Sequence, residues 1–518
     1  MSPFPRLLFL LSFAAGNVHA DVVPAALFSD RAVLQREKPV PIWGRAEAGE
    51  KITVTFGGQK RATTTGSDGR WIVFLDALPA SAQGTDLTIA GKNTVVLRDI
   101  VVGEVWLCSG QSNMEWPVSR AMDAPRETAT ANFPLLRHVR VEHVVAESPA
   151  DMAKTGGGLD KLTAGWQSTT PQTVGGFTAV GYYFARDLHL KLGVPIGLVH
   201  SSWGGTPVES WLSPAALDAN PAFAIVRERW RQALVEYPTA KPAYEAWLAE
   251  WTRAEAAAKK KTPPAQRDWL QKNPRRRAPR GPGDPWTPTG LFNGMIHPLL
   301  PYALRGAIWY QGESNAERAS EYHALFTALI AAWRTHFGQG DFPFFWVSLA
   351  NYKVPEDPTG QSYAFLREAQ TKALALPNTG QALAIDLGDP DNIHPTNKQA
   401  VGRRLALLAR NRVYDVIGDD TGPTFTTATR EGAGLRVRFT HADGGLIAHE
   451  KPVQSLELAG ADRVFRPAEG RIDRETLFVT SPLVRQPVAV RYAWKNAPDA
   501  NLYNGAGLPA VPFRSDDW

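Results

Sequence analysis

Between residues 38 and 100 the chain is patterned for strands. Segments 40–43, 51–56, 70–75 and 87–89 alternate apolar with polar residues or are rich in β-branched and aromatic side chains. Gly57-Gly58 and Ser67-Asp68-Gly69 punctuate them as turns. Short strands so spaced predict a small β-sandwich. The character changes near Val101. The apolar run 105–108 stops at Ser109-Gly110, and from there strands alternate with helices. Residues 177–192 have an amphipathic helical pattern, and 193–200 form an apolar strand that ends in Ser201-Ser202-Trp203-Gly204-Gly205. Residues 319–337 place Tyr322, Leu325, Phe326, Leu329, Ile330 and Trp333 on one helical face. Segments 344–350 and 382–387 read as further apolar strands. The alternation predicts an α/β domain over 101–416, with a parallel sheet covered by helices on both faces. Residues 213–285 interrupt it as a helical insertion, with helices at 222–233 and 243–261 and a Pro-, Arg- and Gly-rich hinge at 273–285. From 417 to 518 strands return, at 435–439, 455–458 and 488–494, as a second β region.

Length agrees with this division: 518 residues correspond to about three domains at roughly 100–200 residues each. The chain is 44% hydrophobic and 21% charged, which describes a globular protein and excludes wholesale disorder. Its formal net charge of +5 is weak over this length and implies no nucleic-acid partner. The basic groups at 259–261 and 275–277 lack regular aromatic interleaving and read as a solvated face. Cys108 is the single cysteine, so an intrachain disulfide and a cysteine-based metal cluster are both excluded. At the N-terminus, Arg6, the apolar stretch 7–15 and Val18-His19-Ala20 have the order of a signal peptide. The alternative is a buried N-terminal element. The expectation is export, to the periplasm or the medium, with a mature chain from Asp21, a first β domain over 21–100 and no membrane span.

Four predicted strand ends carry candidate chemistry. The first is Gly110-Gln111-Ser112-Asn113-Met114. A strand-to-helix turn exposes a serine at the sheet edge and aims freed backbone N–H groups at the same spot. Met114 departs from the Gly-x-Ser-x-Gly elbow, and alone the serine also fits an ordinary helix cap. The second is Asp391-Asn392-Ile393-His394-Pro395. A histidine base needs an acceptor on its second nitrogen, and an acid three residues earlier can reach back to it. A metal ligand and a surface turn fit the same pattern. Trp203-Gly204-Gly205-Thr206 lets backbone approach a ligand closely. Trp309-Tyr310-Gln311-Gly312-Glu313-Ser314-Asn315 brings amide side chains to another strand end, and N–H and amide groups are what an oxyanion hole requires. Nucleophile, base, acid and donors together form a stronger signal than any one motif.

In order and spacing these four blocks resemble the sialate O-acetylesterase-like branch of the SGNH hydrolases. The segment from Val33-Leu34-Gln35 and the closing Leu502-Tyr503-Asn504 and Gly507-Leu508-Pro509 are also similar to that family, so the likeness covers nearly the whole mature chain. The resemblance implies a three-layer α/β fold with Ser112 as nucleophile, His394 as general acid/base and Asp391 as its partner. The implied oxyanion donors are the Ser112 N–H, an N–H of the Gly204-Gly205 turn, and an amide from Gln311 or Asn315. Gln311 is favoured because it lies closer to the strand end. Gln111, Glu313 and Trp203 are the candidate substrate contacts. No cofactor or metal is implied.

The expected activity is therefore a serine esterase that removes acetyl groups from a saccharide, either acetylated sialic acid or plant xylan or xyloglucan. A non-catalytic carbohydrate-binding β-sandwich protein is the alternative, and it leaves the nucleophile, base and donors unexplained. A metal-dependent hydrolase built on Asp391 and His394 lacks a matching His pair or carboxylate cluster. None of the four blocks reads the sugar. A sialic acid carboxylate calls for a cation beside Ser112, for which Arg120 is the nearby candidate; its other reading is a surface turn.

Overall fold

The computed structural model describes residues 21–149, 165–260, 262–449 and 451–518. The signal-peptide segment falls outside them. The centre of the molecule is a parallel sheet of β1 (Thr94–Gly110), β2 (Phe133–Arg140), β3 (Ile196–Ser202), β4 (Gly306–Tyr310), β5 (Phe344–Val347) and β6 (Thr379–Ala382), in the order β2-β3-β1-β4-β5-β6. Gln167–Thr169 adds an antiparallel edge beside β2.

β3, β4, β5 and β6 are buried along their whole length, as expected of strands covered on both faces. Six helices matter here: α1 (Ser112–Glu115), α2 (Ala179–Leu192), α3 (Ala224–Ala258), α4 (Ala319–Phe337), α5 (Ser362–Lys372) and α6 (Lys398–Val413). α2 packs with α6, and α4 packs with α5. On one face of the sheet Trp106 of β1 meets Phe184 of α2, with ring centroids 5.0 Å apart. Trp309 of β4 meets Trp333 of α4 at 5.7 Å.

The boundary expected at residue 100 falls inside β1. The first part of that strand pairs with Ser81–Ala90 and Val33–Gln35, and its last part is the middle of the parallel sheet. Its burial changes accordingly, from mixed to continuous. One apolar core runs from Val22 to Ala409 without a break at this point. The C-terminal region has a separate core, from Leu435 to Phe513, between two four-stranded sheets.

The insertion also differs from its expected form. α3 runs unbroken for 35 residues through Pro238 and Pro242, where the sequence pattern breaks into two helices. Pro263–Lys272 folds back beside it, with Trp251 and Trp269 in contact at 5.8 Å. Tyr244, Trp247 and Trp251 are in ring contact along α3 beyond the second proline. The strand expected over 382–387 is instead β6, which ends at Ala382.

Candidate active site

β1, β3 and β4 stop in register: Gly110 pairs with Ser202 on one side and Tyr310 on the other. Gly110 has φ +133°, and a Cβ there would sit 2.2 Å from the Tyr310 carbonyl oxygen. A glycine is required for the chain to leave the sheet at this point. The Gln111 N–H then donates to Tyr310 O at 2.9 Å, and α1 opens on Ser112.

His394 arrives from the loop before α6, and its Nε2 lies 2.8 Å from Ser112 Oγ. That distance is within hydrogen-bond reach of a nucleophile–base pair. The imidazole stacks on Trp116, with centroids 4.8 Å apart, and the Arg120 guanidinium lies over the other ring partner at 4.0 Å from the Trp116 centroid. Burial, with Lys398 and Arg120 nearby, holds His394 below its ordinary value near 6.5, so the ring is neutral and able to accept a proton at neutral pH. Among the described residues the Arg120 guanidinium has neither a carboxylate partner nor a hydrogen-bond acceptor.

Asp391 does not reach the imidazole. Its carboxylate is exposed and accepts from Lys353 Nζ at 2.8 Å, in a turn braced by the Asp391 N–H on Asp389 Oδ1. Asp386 is held by Arg404. Among the described residues no carboxylate is hydrogen-bonded to His394, so the expected triad is a Ser112–His394 dyad in this structure.

The oxyanion candidates also sort by their partners. The Gly204 N–H is already committed to Glu115 Oε2 at 2.8 Å. Glu115 is in turn held by Arg140 at 2.7 Å and lies 3.1 Å from His143 Nε2. Burial opposes the charge of Glu115, but these hydrogen bonds and Arg140 keep its carboxyl below the ordinary range. Gly205 follows with φ +74° and open space around it. Gln311 and Asn315 are buried and engaged elsewhere. Gln311 Nε2 donates to Thr206 O and Asn315 Oδ1, and Asn315 Nδ2 donates to Glu209 Oε2. This network braces the β4 turn against the one after β3. The preference for Gln311 as a donor is therefore not met, because both its amide hydrogens are spent on this scaffold.

Of the substrate candidates, Gln111 uses its carbonyl to accept from the Ser314 N–H at 3.3 Å, and Trp203 stacks on His143 at 4.2 Å. The Glu313 carboxylate is buried, and burial raises its pKa. Its Oε1 accepts from Asn113 Nδ2 at 2.6 Å, and the Gly312 and Glu313 N–H groups also favour its ionised form. Asn113 Nδ2 also donates to Ile393 O at 3.0 Å, and Asn113 Oδ1 accepts from Lys398 Nζ at 2.5 Å. Burial pushes the Lys398 ammonium down to about 7, against the opposing pull of Glu313. Sequence reasoning assigned no role to Asn113, Glu115, Trp116 or Lys398. Asn113 stands next to Ser112, and Lys398 is one helical turn beyond His394, so adjacency was the available signal.

A family model described as carbohydrate esterase, sialic acid-specific acetylesterase, matches residues 286–410. The sialate O-acetylesterase of Rattus norvegicus is 35% identical over 428 residues, covering 75% of this chain and 73% of that protein. The chain belongs to the sialate O-acetylesterase family of carbohydrate esterases. The Mus musculus sialate O-acetylesterase is 33% identical over 542 residues, covering 94% of this chain and 93% of that protein. Among solved structures, a carbohydrate acetylesterase from Xanthomonas citri superposes with a TM-score of 0.79 at 37% identity, over 96% of this chain and all of that one. The esterase thus has an acetylated saccharide as its class of substrate. Trp286, the first residue of the matched segment, donates from Nε1 to Gly205 O at 2.7 Å and joins the end of the insertion to this edge.

Proposed function

We propose that this esterase cleaves O-acetylated sialic acid, an anionic sugar, through an acetyl-enzyme on Ser112, as a hydrolase of the SGNH type. In this reading Ser112 Oγ attacks the acetyl carbonyl while His394 Nε2 takes its proton. The developing oxyanion is met by the backbone N–H groups of Ser112 and Gly205, since Gly204 is occupied by Glu115. The carbon–oxygen bond to the sugar breaks, and His394 returns the proton to the leaving hydroxyl. A water then gives its proton to His394 and attacks the acetyl group. Acetate leaves, and Ser112 regains its proton.

The observation that carries the choice of sugar is Arg120. Among the described residues its guanidinium has no carboxylate partner or hydrogen-bond acceptor, and it lies on the Trp116 ring that stacks against the His394 imidazole. A planar cation with free donors beside the nucleophile matches a substrate carboxylate. Acetate release from O-acetylated sialic acid, acetylated xylan and acetylated xyloglucan, measured side by side, tests the assignment. The sialic acid is expected to be preferred, and Arg120→Gln to raise its KM about tenfold or more while leaving 4-nitrophenyl acetate turnover unchanged at a pH above the acid limb set by His394. Preference for a neutral polysaccharide, unaffected by Arg120→Gln, would overturn it.

A further inference from the structure

The dyad lacks the carboxylate that fixes an imidazole in a triad. Stacking on Trp116 sets the plane of the His394 ring but leaves it free to slide within that plane. Some other contact must hold Ser112 and His394 at their separation of 2.8 Å.

Asn113 directly follows Ser112, and Ile393 directly precedes His394. One hydrogen bond, from Asn113 Nδ2 to Ile393 O at 3.0 Å, joins the two neighbours. The other amide hydrogen goes to Glu313 Oε1 at 2.6 Å, and the amide oxygen accepts from Lys398 Nζ at 2.5 Å. With Glu313 Oε1 on the amide nitrogen and Lys398 Nζ donating to the amide oxygen, the orientation of the side chain is set from both ends. The side chain is 1% exposed and has no alternative orientation. It gathers the ends of β1 and β4 and the loop before α6 at one point.

We infer that Asn113 and Glu313 are positioning residues that hold Ser112 and His394 in register, in place of a triad carboxylate. The inference rests on the reading of Ser112 as the nucleophile. Asn113 supplies the tether, and Glu313 fixes the amide that makes it. Neither touches the ester. Misplacement of reacting groups by about 1 Å costs on the order of 10²-fold in rate, so losing the tether should slow acylation without weakening binding.

The test uses the full chain, with 4-nitrophenyl acetate turnover and inactivation by a fluorophosphonate as two readouts that need no sugar. Asn113→Ala is expected to lower kcat and the inactivation rate together by about 10- to 100-fold, with KM near wild type and the thermal transition retained. Glu313→Ala should show a similar defect. Glu313→Gln keeps an acceptor for Asn113 and should recover most of the rate. A folded Asn113→Ala protein that matches wild type in both readouts would overturn the proposal. Equal losses in Glu313→Gln and Glu313→Ala would overturn the tether in favour of the Glu313 charge, and this pair decides the matter if Asn113→Ala does not fold. Wild type that ignores the fluorophosphonate but hydrolyses the ester would instead strike the acetyl-enzyme reading, and this inference with it.

Discussion

A base that must take a proton from Ser112 works only while its imidazole is neutral. Burial, Lys398 and Arg120 all disfavour the imidazolium of His394, so its pKa lies below the ordinary 6.5. Activity is lost as pH falls through that pKa, and the acid limb of kcat/KM is accordingly expected below pH 6.5. Arg120→Ala removes one repelling cation and should move the limb upward, measured with a neutral aryl ester. A limb that stays in place would show that Arg120 does not act on the imidazole. Ser112→Ala should leave the fold intact and lower acetate release by about 10³-fold or more. Asp391 makes the sharper comparison. An orienting aspartate in a triad is worth about 10⁴ in kcat, whereas an exposed ion pair contributes about 0–1 kcal/mol. With its carboxylate on Lys353, Asp391→Asn is expected to keep nearly full kcat, and a loss near that of His394→Ala would restore the triad. The Ser112–His394 pairing was legible because a serine after a strand-end glycine and a histidine with an acid three residues before it are few in any chain. Which acid or amide partners them was not, because Asp391, Gln311 and Asn315 have the right chemistry and differ only in what their neighbours already occupy.

At the scale of the element, the strand ends are set by local requirements that sequence does display. Gly110 is the clearest. Its left-handed φ and the 2.2 Å approach of an added Cβ to Tyr310 O leave no room for a side chain. Gly110→Ala is expected to cost about 1–3 kcal/mol, read from the urea midpoint, and to lower kcat by displacing α1. An unchanged midpoint would mean that the turn can relax elsewhere. The apolar runs stop at residues 108 and 200, two residues before the strands end at Gly110 and Ser202, because the small polar residues between are still buried in the sheet. The long helix α3 was misread for a corresponding reason. Pro238 and Pro242 argue locally for a break, and that argument outweighed the helical spacing of Tyr244, Trp247 and Trp251 beyond them. The boundary near Val101 was misplaced because β1 changes partners along its length and continues past a left-handed Asp99, φ +58°, without ending. Periodicity reports how many faces a strand buries, and it does not report which sheet supplies the cover.

At the scale of the whole molecule, the C-terminal β region bears on the catalytic loop through one buried side chain. Arg367 of α5 is 1% exposed. Its guanidinium donates to the carbonyls of Leu349 and Ala350, which follow β5, and to those of Lys495 and Asn496 in the C-terminal region. From there the path is short. The Tyr352 N–H donates to Asn496 O at 3.2 Å, and the Lys353 N–H donates to Pro390 O at 2.9 Å, four residues before His394. The same C-terminal region adds Tyr503 Oη on Asp386, within 3.5 Å. Two apolar cores are thus joined by a polar seam whose satisfaction depends on Arg367. Arg367→Met would fill much of the volume and leave four carbonyls without these donors. At about 1–3 kcal/mol for each buried polar group left unpaired, the loss should amount to several kcal/mol. The expected result is a lower urea midpoint, with far-UV circular dichroism still showing a single transition, and a fall in kcat larger than any rise in KM. If wild type instead unfolds in two separate steps, and Arg367→Met shifts only the step belonging to residues 417–518, the two cores are independent and the seam transmits nothing to His394.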